Sequence, residues 1–379
     1  MLLNTILACL ALLSLGLTLW QWFVAQRFPL HRRVGPHGFA PAVTLLKPVK
    51  GCDETTAACL RSWLAQDYGG PVQVLFGVAS AGDPVCAVVR QLLEEFPAHD
   101  AQLVVCGPLR GANLKVAALA KLERLAKHPV LVVSDADVRV PGDFLANAVA
   151  PLKEPSVGLV NCFYQLANPT TPAMRWEAVA INADFWSQVL QAQSIKPLDF
   201  ALGAVMVTRR AQLDEIGGFV ALADCLADDY QLGHRLAARG HRIALTPVVV
   251  ECWSAPMGWR AVWKHQLRWA RTIRVCQPAP YFFSILSNAT LWPLLWVAAI
   301  PGSRLALTLA VGCWVARIGT ALHLERRLTS APAPLRYAWL VPLKDLLQTA
   351  LWLLAFLGSR VDWRGERLRL RPDGTLVKG

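Results

Sequence analysis

The chain is poor in charge: 17% of its 379 residues are Asp, Glu, Lys or Arg, against 54% hydrophobic. Soluble domains carry roughly 25% charged and about 45–50% apolar residues, so this is not the composition of an ordinary cytosolic enzyme. Disorder is excluded for most of the chain, because disordered chains are poor in apolar side chains. Acid is scarcer than base, 26 Asp and Glu against 38 Lys and Arg, and the net charge is +12. The ten cysteines form no CxxC pair and no Cys/His cluster at zinc spacing. Most sit in apolar surroundings, as Cys106 and Cys313 do, and read as small buried hydrophobes in a reducing compartment. No G-x-S-x-G or Ser/His/Asp pattern occurs, so nothing points to a covalent nucleophile. Internal repeats and low-complexity tracts are absent as well.

A basic protein invites a nucleic-acid partner, but here Lys and Arg are scattered and many flank apolar runs. Such residues mark the cytoplasmic ends of membrane helices, so no nucleic-acid partner is expected. Met1–Val24 has no charged residue, long enough for a bilayer core that needs about 20 residues. It lacks the basic start and small-residue cleavage site of a signal peptide. It reads as an uncleaved anchor over residues 1–26, and Arg27, Arg32 and Arg33 place the next segment in the cytoplasm.

From Pro41 the pattern changes. The runs 43–47, 72–78, 102–106 and 130–135 are β-branched and almost continuously apolar, as strands buried on both faces are. Helical stretches lie between them near 54–66, 84–96 and 113–127. This alternation predicts an α/β domain over 41–275, built on a mostly parallel sheet with flanking helices. Such sheets bind ligands at the carboxyl ends of their strands. After it, 276–358 is a membrane region. Val275–Ser303 is uncharged and is the strongest span there, whereas 305–316 and 346–358 are short enough to be re-entrant or interfacial. Either could span if its flanking charges snorkel or line a protein-packed groove. A basic tail, 359–379, carries Arg360, Arg364, Arg367, Arg369, Arg371 and Lys378. Four full spans would put that tail outside, against the charge rule, so one late segment is expected not to cross.

Three motifs carry chemistry. Asp135-Ala136-Asp137 follows the strand ending at Ser134. Two carboxylates there suit Mg²⁺ or Mn²⁺ shared with phosphate oxygens, or else form a solvated turn. Asp228-Asp229-Tyr230 opens a helix, where acids act as caps or as a general base. His265-Gln266-Leu267-Arg268-Trp269 lies among Trp259, Trp263, Lys264, Arg271 and Arg274. It reads as a basic amphipathic helix on a membrane surface and as a source of Arg268 for phosphate. The two readings are compatible on different faces.

Taken in order, Asp83-Pro84, Asn113-x-Lys115, Asp135-x-Asp137, Gly203, Gly217-Gly218-Phe219, Asp228-Asp229-Tyr230 and H-x-x-R-W resemble one family. The chain is similar to the ceramide glucosyltransferase-like membrane glycosyltransferases of the inverting GT-A kind, closest to the bacterial hopanoid-biosynthesis branch. The resemblance spans essentially the whole chain, including LKPVKGCDE at 46–54 and the tail. It implies that Lys47, Pro48 and Asp83 lie along the uridine, with Lys115 near the nucleotide. It implies that Asp135 and Asp137 hold Mg²⁺ or Mn²⁺ on the sugar diphosphate, that Asp229 is the base, and that Arg268 and Trp269 close over the donor. The family's last motif usually begins with Gln or Arg. His265 stands there, and an imidazole can also donate toward a diphosphate.

The implied reaction is a single displacement from a UDP-sugar, favoured as UDP-N-acetylglucosamine, to a hydroxyl of a membrane lipid. The favoured acceptor is a hopanoid such as bacteriohopanetetrol, and the alternative is glucosylation of ceramide or another lipid. The implied setting is a multi-pass protein of the bacterial inner membrane. The segment 174–195, rich in Trp and Phe, is a candidate entrance for the lipid headgroup or a core helix. A processive polysaccharide synthase shares the motifs but needs a channel of more spans. A non-catalytic scaffold is at odds with acids intact at 83, 135, 137 and 229.

Overall fold

The computed structural model describes residues 1–34, 38–109, 111–332, 335–363, 366–371 and 373–378; Arg364 of the basic tail lies outside the described residues. Helix α1 (Leu2–Arg27) leads into β1 (Val43–Pro48), α2 (Thr56–Leu64), β2 (Val72–Val78), α3 (Val85–Glu95), β3 (Asp100–Val105), α4 (Leu114–Glu123) and β4 (Val130–Ser134). These are the strands and helices expected from the sequence, within about two residues except that α4 ends four residues early. A two-residue strand β5 (Val138–Arg139), α5 (Phe144–Val149) and β6 (Val157–Leu166) follow. Next come α6 (Pro172–Val179), a π-helical turn (Ala180–Phe185), α7 (Trp186–Ile195), β7 (Val205–Arg209), α8 (Arg210–Glu215), α9 (Asp228–Ala238) and β8 (Arg242–Cys252).

The eight strands make one sheet in the order β3-β2-β1-β4-β7-β6-β8-β5. The β3-β2-β1-β4 half is parallel, and β7 then runs antiparallel to both β4 and β6. This reversal has a consequence for the site. Ser134 at the end of β4 pairs with Val205 at the start of β7, so the acids after β4 and Gly203 before β7 meet at one edge. Successive residues of a strand face opposite ways. Leu45 therefore enters a core with Trp63, Phe76 and Phe144, while Leu46 enters the other with Leu75, Phe163 and Trp186. Both faces are covered, which is why the strands read as unbroken apolar runs.

Helix α1 is built the other way round from a helix on a soluble protein. Its buried positions are Leu7, Ala11, Ser14, Thr18, Gln21 and Ala25, spaced by three and four. Leu12, Leu13, Leu19, Trp20 and Phe23 point outward. Small and polar residues inside with large apolar ones outside is the pattern of a helix solvated by lipid.

The chain continues with α10 (Trp259–Cys276), α11 (Pro278–Phe283), α12 (Leu291–Ala299), α13 (Arg304–Thr329) and α14 (Leu340–Phe356). Among the described residues, Leu2–Arg27, Arg304–Thr329 and Leu335–Phe356 are long and apolar enough to cross a membrane. The run 275–303, expected to be the strongest span, is instead a pair of helical pieces bent by 54°. Pro278 and Pro280 confine the first piece and Asn288 breaks the chain between the two, its side chain binding the Asp345 carbonyl and Thr349. Conversely, the 305–316 run does not stop at Arg317. That guanidinium is neutralised inside the protein, and α13 runs through it, 26 residues in all.

Helix α14 lies along the α/β domain. Its first turn shares a recess with Arg175, Ala178 and Val179 of α6, its middle packs Leu351 on Trp176 and Val262, and its end packs Ala355 on Ala270. The basic tail is folded. Strands β9 (Arg360–Trp363), β10 (Glu366–Leu370) and β11 (Leu376–Lys378) form an antiparallel sheet. This sheet docks on the loop before α9: Cys225 bridges Thr375, and the Leu376 amide donates to the Asp224 carbonyl at 2.7 Å. Tail and α/β domain are thus on the same side of α13. The stretch 174–190 is core and not an entrance, since Trp176 and Trp186 are fully buried and Val189 and Leu190 nearly so, whereas residues 193–195 are exposed.

Candidate active site

The turn after β4 is held from below. Lys47 is completely buried on β1. Its ammonium donates to Ser134 Oγ at 3.1 Å and to the Asp135 and Val138 carbonyls, over the Trp63 ring at 4.8 Å. Burial pushes its pKa down to about 7, with Asp137 the largest opposing influence. The Lys47 side chain is therefore spent on the acidic turn and does not reach into the cleft. Pro48 ends the same strand, and beyond it the Val49 amide pairs with Gly77.

Asp135 and Asp137 occupy this turn. Asp137 keeps exposed surface while protein crowds it from most sides, as at a cleft floor. Burial pushes its carboxyl up to about 6, helped by the Asp135 charge. Asp135 receives Lys115 Nζ at 2.7 Å, and the same ammonium lies 3.2 Å from Asp228. Lys115 is buried, yet its two carboxylate partners outweigh desolvation and hold its pKa well above normal. Asn113 caps α4 by accepting from Val116, and donates to Cys225 O at 2.8 Å. The Asn113-x-Lys115 pair thus ties the start of α4 to the loop before α9.

Asp229 comes next on α9. Its carboxyl is pushed up to about 6 by burial first and by Asp228 second, with Lys115 opposing. It faces Gly203, where an added Cβ would sit 2.7 Å from Asp229 Oδ2. Only a glycine leaves that carboxylate its place. Tyr164 lies between the acidic groups. Burial, with Cys252, Asp229, Glu177 and Asp135 adding to it, keeps the phenol neutral.

Asp83 forms another wall. Its Oδ1 accepts from the Gly51 and Val85 amides at 2.9 and 3.0 Å, which joins the β1 loop to the start of α3. From the other side comes α10. Trp269 packs against Phe185 and against the His265 ring, with centroids 6.3 and 4.8 Å apart. Arg268 is half-buried on the same helix. His265 Nδ1 and Gln266 Nε2 both reach Glu177 Oε1 at 2.7 Å.

The structure thus brings Asp135, Asp137, Lys115, Asp228 and Asp229 together; Asp83 follows β2 at the same carboxyl end of the parallel strands, and Trp269 of α10 packs on the same core as Ala136. Two participants had no role of their own in the sequence reading. Asp228 is the second partner of Lys115, and Glu177 is the buried anchor of His265 and Gln266. The signal for Glu177 was available: it is a lone acid in the apolar stretch Pro172–Ile181.

A mostly parallel sheet interrupted by one reversed interior strand, with paired acids after β4, is the GT-A transferase fold. The chain belongs to glycosyl transferase family 21, whose profile matches residues 6–376. It is a glycosyltransferase, and it carries helices fit to cross a membrane. Ceramide glucosyltransferase 3 of Caenorhabditis elegans is 21% identical over 360 residues, covering 93% of this chain and 78% of that protein. An N-acetylglucosaminyltransferase of Bradyrhizobium diazoefficiens is 25% identical over 372 residues, covering 88% and 73%. Among solved structures, a mannosyltransferase from Pyrobaculum calidifontis, in complex with GDP-Man and Mn²⁺, superposes with a TM-score of 0.55. It is 23% identical and covers 94% of this chain and 98% of that one. That likeness establishes the fold.

Proposed function

We propose that the protein moves a sugar from a UDP-sugar to a hydroxyl of a membrane lipid, with inversion at the anomeric carbon. The observation that carries this reading is the Asp229 carboxylate, held against Gly203 and across Lys115 from Asp135. The acceptor oxygen bonds to the anomeric carbon as the bond to the diphosphate oxygen breaks, and Asp229 takes the hydroxyl proton. Its raised pKa favours that acceptance near neutral pH. Arg268 and Lys115 supply positive charge toward the leaving diphosphate, and Trp269 closes over the donor.

Asp135 and Asp137 are the residues that would hold Mg²⁺ or Mn²⁺. Two carboxylates crowded enough to raise the Asp137 pKa suit a hard divalent cation. Among the described residues no cluster of three or more acidic, His or Cys groups makes a ready cage, so diphosphate oxygens and water must complete the shell. Such an ion neutralises charge on the leaving group.

UDP-N-acetylglucosamine is the favoured donor, in keeping with the name of the bacterial relative. The favoured acceptor is a hopanoid polyol, on the sequence resemblance of the tail and the H-x-x-R-W motif. Transfer of glucose to ceramide is the second reading, favoured by the nematode relative. We place the α/β domain on the cytoplasmic face of a bacterial inner membrane, because Arg27, Arg32 and Arg33 follow α1 and the basic tail docks beside the domain. The test offers membranes holding the full chain UDP-N-acetylglucosamine or UDP-glucose, with Mn²⁺ or EDTA, and reads the lipids by mass spectrometry. A metal-dependent lipid glycoside absent with Asp229→Asn is expected. Undiminished product from Asp229→Asn would remove the base, and glucosylceramide alone would replace the favoured acceptor.

A further inference from the structure

The C-terminal sheet has two unlike faces. Val361, Leu368, Leu370 and Leu376 are buried with Leu226. The alternate positions Arg360, Arg367 and Arg369 are exposed, as is Arg371 beyond β10. Arg369 stands opposite Arg360 in the ladder, although like charges in register oppose pairing. Among the described residues none of these four arginines forms an ion pair. Asp362 pairs with Lys264 at 2.7 Å while standing opposite Arg367, and Asp373 accepts from Thr375 with Arg371 near by.

Through Gly358 this face runs into an aromatic patch. Tyr281, Phe282, Phe283, Trp352 and Phe356 form a chain of ring contacts, with centroids 5.1–6.3 Å apart. Phe282, Phe283 and Leu357 are 52%, 59% and 78% exposed. Two further arginines border the patch. Arg274 lies over the Phe356 ring at 5.7 Å, and Arg271 donates to the Arg360 carbonyl. Both keep a buried Nε without a hydrogen-bond partner.

Exposed rings call for an apolar surrounding, and exposed guanidiniums without an ion pair beside them call for phosphate. A bilayer interface supplies both at one depth, with rings at headgroup level and basic side chains on anionic lipid. We propose that this surface, formed by α11, the end of α14 and the outer face of the C-terminal sheet, seats on anionic phospholipid. This goes beyond the transfer reaction and does not depend on which sugar or acceptor is used. The buried face of the same sheet pairs with the loop leading into Asp228 and Asp229, so headgroup contact and active-site loop share one small sheet.

The test uses the full chain in detergent, titrated with phosphatidylglycerol or phosphatidylcholine, and counts retained lipids by native mass spectrometry. The wild type is expected to retain phosphatidylglycerol preferentially. Basic residues near an anionic surface contribute on the order of fivefold each at low salt. The R360Q/R367Q/R369Q/R371Q variant should therefore lose the preference by about tenfold or more. A control that removes four basic residues elsewhere, R90Q/R124Q/K153Q/R239Q, should keep it. If the quadruple variant unfolds at a lower temperature, R360Q/R369Q and R367Q/R371Q are compared separately, and each should lose part of the preference. Equal retention of the two lipids by the wild type would overturn the proposal, as would an unchanged preference in the folded variants.

Discussion

Replacing Arg317 by Met tests how the membrane helices are fastened to the α/β domain. Arg317 sits in the interior of α13, where it binds Asp345 of α14 at 2.8 and 2.9 Å and Asp184 of the π-helical turn at 2.8 Å. Lys344 binds both acids, and Thr290 donates to Asp345 at 2.6 Å. All five side chains are buried, and the two acids balance the two bases. Removing the guanidinium leaves one uncompensated buried carboxylate, which costs about 3–5 kcal/mol. Unfolding entropy of about 2 cal/mol/K per residue converts this to a fall in Tm of roughly 5 °C for a chain of this size. The double change Arg317→Met, Asp345→Leu leaves a neutral Asp184–Lys344 pair and should recover most of the loss, because apolar replacement of a whole buried pair is often close to neutral. Thermal unfolding in detergent of the wild type, both single variants and the double variant forms the cycle. If the double variant were no more stable than the worse single one, the charge-balance argument would fail.

The pH dependence follows from Asp229. Its pKa is raised, so the carboxylate that accepts the proton is lost as pH falls through about 6. With that pKa, about nine-tenths is ionised at pH 7 and about one-tenth at pH 5, so kcat/KM should fall roughly tenfold between them. A profile flat to pH 5 would contradict the assignment. The stability sign is the reverse of a salt-bridged acid: the ionised form is disfavoured by folding, so the cost is present above about pH 6 and is relieved as the group protonates. Gly203→Ala should lower kcat by about 10–100-fold through displacement of the Asp229 carboxylate. Nucleotide affinity measured by calorimetry should stay within about twofold, and an unaffected kcat would show that the contact is slack.

The parallel half of the sheet was legible because its strands are buried on both faces and their apolar runs end in turn residues. The candidate site was legible as separate motifs, since paired acids at a strand end and at a helix start stand out in a chain so poor in charge. Their mutual placement was not, because Lys115 meets Asp228 across 113 positions of sequence and only the fold brings them together. Charge alone left the membrane region open. Arg317 looked like the end of an apolar run, and its partners Asp184 and Asp345 come from elements far away in the chain. The tail was read only as basic because alternating Arg and Leu over 367–370 is a short amphipathic strand, easily lost beside longer signals.

Strand β11 has a consequence for biogenesis. The loop before the candidate base is closed by hydrogen bonds from residues 374–376, which leave the ribosome only after α13 and α14. A nascent chain can fold most of its sheet while still being translated, but it cannot complete the surroundings of Asp228 and Asp229 until its helical region has been made. Maturation of the site thereby follows synthesis of the helices that fasten the domain to the bilayer.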